Sequence, residues 1–162
     1  MQANAATELR DWIGQIESAL GVIISATDEG AFSLYTRGDR AILIEPVRGQ
    51  LALVLTGALS ETDETMSANL FRALLAANVV PGMAYPSSIG LHPAEQTLIL
   101  RLLWAPAQDD WRGEAFLELL AAFGMQVDAL AGAIASRQIE SLLAQAEDLP
   151  EPALSDEVQQ FI

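Results

Sequence analysis

Apolar residues recur at helical spacing near the start of the chain. Leu9, Trp12, Ile13, Ile16 and Leu20 share one face of residues 4–20, while Glu8, Asp11, Gln15 and Glu17 take the other. This pattern predicts an amphipathic helix that stops at Gly21. Between residues 22 and 58 the period changes. Short apolar runs are interrupted by Asp28-Glu29-Gly30, Arg37-Gly38-Asp39 and Arg48-Gly49-Gln50, turn-forming strings that predict an antiparallel meander. Strands are expected near 31–36, 41–47 and 51–58, with 22–26 as a short lead-in.

Helical spacing returns with Met66, Leu70, Phe71, Leu74 and Leu75. The hydroxyls of Ser60 and Thr62 precede Glu61, Asp63 and Glu64, so the second helix is expected to start there, with the acids at the positive end of its dipole. It ends at Asn78, before a loop holding Pro81, Gly82 and Pro86. A hairpin with strands near 87–91 and 97–104 follows. After Pro106, Asp109 or Asp110 is the expected cap of a long helix carrying Phe116, Leu120, Phe123, Val127, Leu130 and Ile134. Gly124 and Gly132 inside it cost about 1 kcal/mol each relative to alanine, which points to a bend or a close backbone approach.

The order is α-β-β-β-α-β-β-α. Long βαβ crossovers are missing, so the fold class is α+β, an antiparallel sheet with helices packed on one side. Residues 1–147 are read as one domain. Residues 148–162, rich in acid and holding Pro150 and Pro152, are read as a flexible C-terminal tail.

Composition narrows the function. Of 162 residues, 27 are alanine and 24 leucine, and aromatics make up 6%, which favours helices over strands. Neither a leader pattern nor a run of about 18 apolar residues is found, so the chain is expected in the cytoplasm, without membrane insertion. Cysteine is absent, excluding disulfides and thiolate chemistry. Twenty-two acids against eight bases give a net charge of −14, which repels a nucleic-acid backbone. Every base is arginine, so lysine Schiff-base chemistry is excluded.

Candidate catalytic groups are sparse. His92 is the single histidine and stands beside Pro93 in the expected hairpin turn, without the partners a triad or metal site needs. The acid pairs Asp28-Glu29, Asp63-Glu64 and Asp109-Asp110 fall at turns or helix starts, where capping is their ordinary task. No nucleotide-binding, hydrolase or zinc-protease string occurs. Two alternatives to a peptide-binding protein stay open. One is a regulatory adaptor that binds a folded protein or small ligand. The other is a small enzyme in which two distant carboxylates converge within about 5–10 Å with raised pKa values.

The strands carry more apolar residues than one buried face needs. Ala41, Leu43 and Val47 alternate with Ile42 and Ile44, and Leu98, Leu100, Leu102 and Trp104 alternate with Ile99 and Leu103. Residues 51–55 repeat the pattern. Either the strands are buried on both faces by their own chain, or the second face is covered by another subunit or a partner.

Several local strings resemble the Tir chaperone family, the class I chaperones of type III secretion. They are Ile16-Glu17-Ser18-Ala19-Leu20-Gly21-Val22, Asp28-Glu29-Gly30 leading into Phe32-Ser33-Leu34, and Leu70-Phe71-Arg72-Ala73-Leu74-Leu75-Ala76-Ala77-Asn78. Ile89-Gly90-Leu91-His92-Pro93, Thr97-Leu98-Ile99-Leu100 and Phe116-Leu117-Glu118-Leu119-Leu120 extend the likeness over residues 5–140. The acidic tail departs from a minimal member.

The resemblance implies a homodimer that binds the N-terminal segment of a secreted effector as extended chain and keeps it soluble and competent for secretion. It implies no catalysis, nucleotide or metal. Under it, Phe32, Leu34, Ile42, Ile44 and Val54 are the candidate effector patch, with ordinary core as the competing assignment. Leu74, Ile89 and Leu91 are the candidate dimer contacts. A one-residue register shift would exchange the faces.

Overall fold

A computed structural model describes residues 5–147 apart from residues 29, 81, 82 and 85. The first helix, α1, runs Ala5–Leu20. Its buried positions Leu9 and Ile16 are two turns apart on the stripe read from the sequence. A short strand β1 (Ser25–Ala26), β2 (Phe32–Tyr35), β3 (Ala41–Pro46) and β4 (Leu53–Glu61) follow. Gly49, at φ 75°, takes the left-handed position in the turn between β3 and β4, a conformation glycine adopts without steric cost.

After β4 come α2 (Ala68–Ala77), β5 (Ser88–His92), β6 (Thr97–Trp104), a 3-10 turn at Gln108–Asp110, α3 (Gly113–Ala135) and α4 (Ile139–Glu147). The six strands form one antiparallel sheet in the order β1-β2-β3-β4-β6-β5. The helices pack on one side of it, as expected. A β-bulge near Ala58–Ser60 in β4 shifts the register against β6, the usual effect of one extra residue in a ladder.

The expected start of the second helix is corrected. Residues 60–61 still belong to β4, and the hydroxyl and acid groups after them build a turn instead. The Asp63 carboxylate accepts from the Thr65 amide and hydroxyl, and Thr62 donates to the Gln96 carbonyl. Ser67 then caps α2 by accepting from the Leu70 amide at 3.1 Å. Asp109 and Asp110 likewise occupy the 3-10 turn and do not cap α3. The α3 backbone runs unbroken past Gly124 and Gly132. A side-chain carbon at Gly124 would lie in ordinary contact with Ile42 and Thr36, so neither a break nor an exceptionally close approach occurs there.

A fourth helix, unforeseen in the sequence order, follows a reversal at Arg137, whose φ is 57°. Its Ile139 and Leu143, spaced four apart, are buried, and the helix lies against α2. By length and composition α3 is the one helix among the described residues able to cross a membrane. Here its Phe116, Leu120, Phe123, Val127, Leu130 and Ile134 are buried in the core, which α3 closes over β4. The expectation of a flexible tail over residues 148–162 falls outside the described residues.

Two points tie α3 to the sheet. Gly57 of β4 leaves just enough room for Val127, which a methyl at that position would strike. At the turn between β2 and β3, Asp128 accepts from the Thr36 hydroxyl and, at 3.1 Å, from the Gly38 amide. The end of the sheet near α1 is filled by Trp12, Trp104, Trp111 and Phe116. There Trp104 and Trp111 stack with centroids 4.8 Å apart, and Trp111 donates to Glu8.

Candidate functional site

Pairing register divides the strand residues into two sets. Phe32, Leu34, Ile42, Ile44, Leu53, Leu55, Leu98, Leu100 and Leu102 are buried in a single core with the helices. Their alternates, from Ser33 and Tyr35 through Leu43, Glu45, Val54, Thr56 and Ala58 to Ile99, Arg101 and Leu103, are half-buried or exposed and face the side without helices. Period-two alternation therefore puts apolar residues on both sides, as the sequence showed, but the described helices roof only one of them.

The open face has an ordered centre. Ser33 pairs with Leu43, Leu43 with Thr56, Thr56 with Arg101, and Arg101 with Ser88, so these five residues form one row across the sheet. On one side of that row Val54 pairs with Leu103, and on the other Ala58 pairs with Ile99 and Ile99 with Gly90. Leu103 is 62% exposed and Tyr35 is also exposed. Small residues at Ala41, Ala58 and Gly90 keep the surface low between the larger apolar ones.

Of the five residues assigned to an effector patch, four point the other way. Phe32, Leu34, Ile42 and Ile44 lie beneath the helices, with Ile44 0% exposed. The assignment assumed that these alternates face away from the helices, and the register places them one residue out of phase with that. Val54 alone lies on the open face, where sequence alternation also puts Leu43, Ile99 and Leu103. The apolar period was visible in the sequence. Which phase of it the helices cover was not.

The dimer candidates divide similarly. Leu74 and Ile89 are buried within the protomer, whereas Leu91 on the outer strand β5 is 47% exposed. Leu75 and Val79, four residues apart at the end of α2, are the exposed apolar groups on that side, Val79 at 79%. Asn78 explains why Ile89 is held inside. Its amide group donates to the Ile89 carbonyl at 3.1 Å and accepts from the Ile89 amide, taking the place of a neighbouring strand at that residue. Strand alternation leaves the outward amide and carbonyl of Leu91 as the next pair along this edge.

Two clefts lie beside the helices. One, of about 590 Å³, lies between α3 and the segment before β5 and is lined mainly by Met83, Leu102, Leu119, Phe123, Met125 and Leu130. Gln126 at its wall accepts from Ser87 and donates to the Met83 and Ala84 carbonyls, so its amide is fully used in holding that segment. The other, of about 440 Å³, is polar and includes Asp63, Arg137 and Glu140. Hydrogen bonds from the Thr65 hydroxyl and amide hold the Asp63 carboxyl below its usual range. That is the opposite of the raised pKa a general acid needs. Among the described residues, no group of three or more acids and histidines is placed to hold a metal ion. His92 lies in the strand end before the hairpin turn and accepts from the Glu95 amide at 3.4 Å.

One antiparallel sheet with helices on one side is also the fold of known secretion chaperones. The chaperone-effector complex of HopA1 and SchA contains a chain similar in fold, with a TM-score of 0.61 and 12% identity over 80% of this chain and 97% of that one. A chain in the crystal structure of the Yersinia pestis type III secretion chaperone SycH with a stable fragment of YscM2 matches with a TM-score of 0.52 and 14% identity. That match covers 74% of this chain and 97% of the other. No curated protein matches in sequence. The profile of the Tir chaperone protein (CesT) family matches residues 12–131, and the chain belongs to that family. Helix α4 begins beyond the matched region.

Proposed function

We propose that this chain is a type III secretion chaperone that holds the N-terminal segment of a secreted effector as extended chain and keeps it soluble until export. The observation that carries this reading is the open face of the sheet. Tyr35, Leu43, Val54, Ile99 and Leu103 form an apolar surface that nothing among the described residues covers. A soluble protein that leaves such a surface on a sheet has a use for it. An extended segment suits it, because side chains two residues apart along the segment repeat at the spacing of side chains two apart along a strand.

Family membership supports the same reading, and the two structures described above are complexes of a chaperone with an effector or with a fragment of another protein. The chaperone acts in the bacterial cytoplasm by binding alone, with no reaction catalysed. It works as a homodimer through Leu75 of α2, Val79 just beyond that helix and Leu91 of the edge strand β5.

Coexpression with the product of the neighbouring gene tests the reading, since chaperones of this kind often lie beside their client. The chain should copurify with that protein and shield its N-terminal segment from protease. Light scattering should give twice the chain mass. A monomer that protects no segment at micromolar concentration refutes the reading.

A further inference from the structure

Among the described residues, Arg101 is the one arginine on the open face. It lies on β6, the strand next to the sheet's edge, between β4 and β5, exposed and with Thr56 and Ser88 as its cross-strand neighbours. Ile99 and Leu103 flank it along the strand on the same face. Among the described residues the single ion pair is Arg112–Asp110, so no carboxylate of those residues neutralises Arg101. The nearby acids of this face, Glu45 and Glu61, stand toward its ends, Glu45 beside Val54 and Glu61 beside Thr97.

A segment laid over Ile99 and Leu103 strips water from the guanidinium between them. Leaving that group buried and unpaired is costly, and an apolar or basic residue above it offers no compensation. A carboxylate does, because it accepts two parallel hydrogen bonds from the guanidinium fork. Side chains two apart in an extended segment repeat at roughly 6.6–6.8 Å, the spacing of Ile99, Arg101 and Leu103.

We infer that Arg101 selects client segments with the order apolar, any residue, Asp or Glu, any residue, apolar, the acid seated on Arg101 and its apolar flanks on Ile99 and Leu103. This rests on the reading of the open face as the client surface and adds a rule for which clients it accepts. The net charge of −14 sharpens the rule. General repulsion disfavours acidic segments, so a single well-placed acid is recognised locally and an acidic run is not.

The probe is a short acetylated and amidated peptide centred on Leu-Ser-Asp-Ser-Val, with partners carrying Asn or Lys in place of Asp. Binding is measured by fluorescence anisotropy against the native chain, Arg101→Gln and Arg101→Glu. The native chain should prefer Asp over Asn by about tenfold, in line with the strength of a charge-assisted pair. Arg101→Gln should lose the preference, and Arg101→Glu should turn it toward Lys. Equal binding of all three peptides to the native chain, an acid preference that survives both substitutions, or no binding of the Asp peptide overturns the inference.

The chain's own Leu154, Asp156 and Val158 have the same spacing, so Asp156→Lys is measured alongside. If Asp156→Lys raises binding of all three peptides alike while the Arg101 variants leave the preference unchanged, the surface serves the chain's own C-terminus and the inference falls. Copurification of the neighbouring gene's product with every Arg101 variant at undiminished yield leaves the chaperone reading standing without this rule. Failure to copurify even with the native chain removes both.

Discussion

The two faces of the sheet are built from nearly the same residue types and have opposite fates. Ile42 and Ile44 on β3 are sealed beneath the helices, while Leu43 between them looks out on the open side. Leu100 and Leu102 on β6 are core, while Ile99 and Leu103 are not. Hydrophobicity therefore does not mark the functional surface in this fold. What marks it is an apolar residue on a paired strand with no helix above it. The covered face uses its apolar area for stability, and under the proposed function the open face keeps its area for a partner.

Charge separates the faces most sharply. Ile44→Asp places a carboxylate in the sealed core, where no partner is available, and should abolish cooperative folding, a loss beyond about 4 kcal/mol. Thermal unfolding followed by circular dichroism checks this. A folded variant that fails only in client binding would return Ile44 to the effector patch.

Close packing gives the next largest effect. Gly57→Ala should cost about 1–3 kcal/mol, because its methyl meets Val127 on the facing helix. Adding Val127→Ala should recover part of that loss, so the double variant is more stable than the sum of the two single effects implies. Denaturant midpoints of the four proteins close the cycle, and strict additivity would separate Gly57 from α3.

On the open face the effects are reversed in kind. Leu103→Ser should change stability by no more than about 0.5 kcal/mol and weaken client binding several-fold, read by titration of the client segment. A large drop in thermal midpoint with client binding unchanged would show that the two faces had been confused.

The smallest effect belongs to a turn outside both faces. Asp63 is held below the ordinary carboxylate range first by the Thr65 hydroxyl and then by the Thr65 amide. A depressed pKa contributes stability above the unfolded value and loses it as the pH falls through the folded one. The small advantage of the native chain over Asp63→Asn should thus be present at pH 7 and be lost progressively as the pH falls below about 4. An advantage that grew on acidification would reverse the sign assigned to this turn.

Much of the fold was legible because single periods dominate its elements. Leu9 to Leu20 and Phe116 to Ile134 read as helices, and turn strings at Arg37-Gly38-Asp39 and Arg48-Gly49-Gln50 marked the hairpins that the structure contains. Three features were hidden by competing local chemistry. The run Ser60 to Thr65 has capping residues, yet they complete a strand and an Asp63 turn, and the effective cap is Ser67. Asp109 and Asp110 were spent in a 3-10 turn. The helix after Arg137 carries Ile139, Leu142 and Leu143 at helical spacing, a signal outweighed by the surrounding acids. At the site, strand alternation disclosed two apolar sets but not which one the helices cover, since that depends on long-range packing such as Val127 on Gly57. Leu103 and Arg101 were missed for that reason.

Photocrosslinking reads the division between the faces most directly. Benzoylphenylalanine placed in turn at positions 35, 103 and 125 puts a reactive ring on the open face twice and on the outer side of α3 once. Positions 35 and 103 should crosslink to the client's N-terminal segment and position 125 should not. Crosslinks from position 125 alone would mean that the client binds the helical side and that the open face has another purpose.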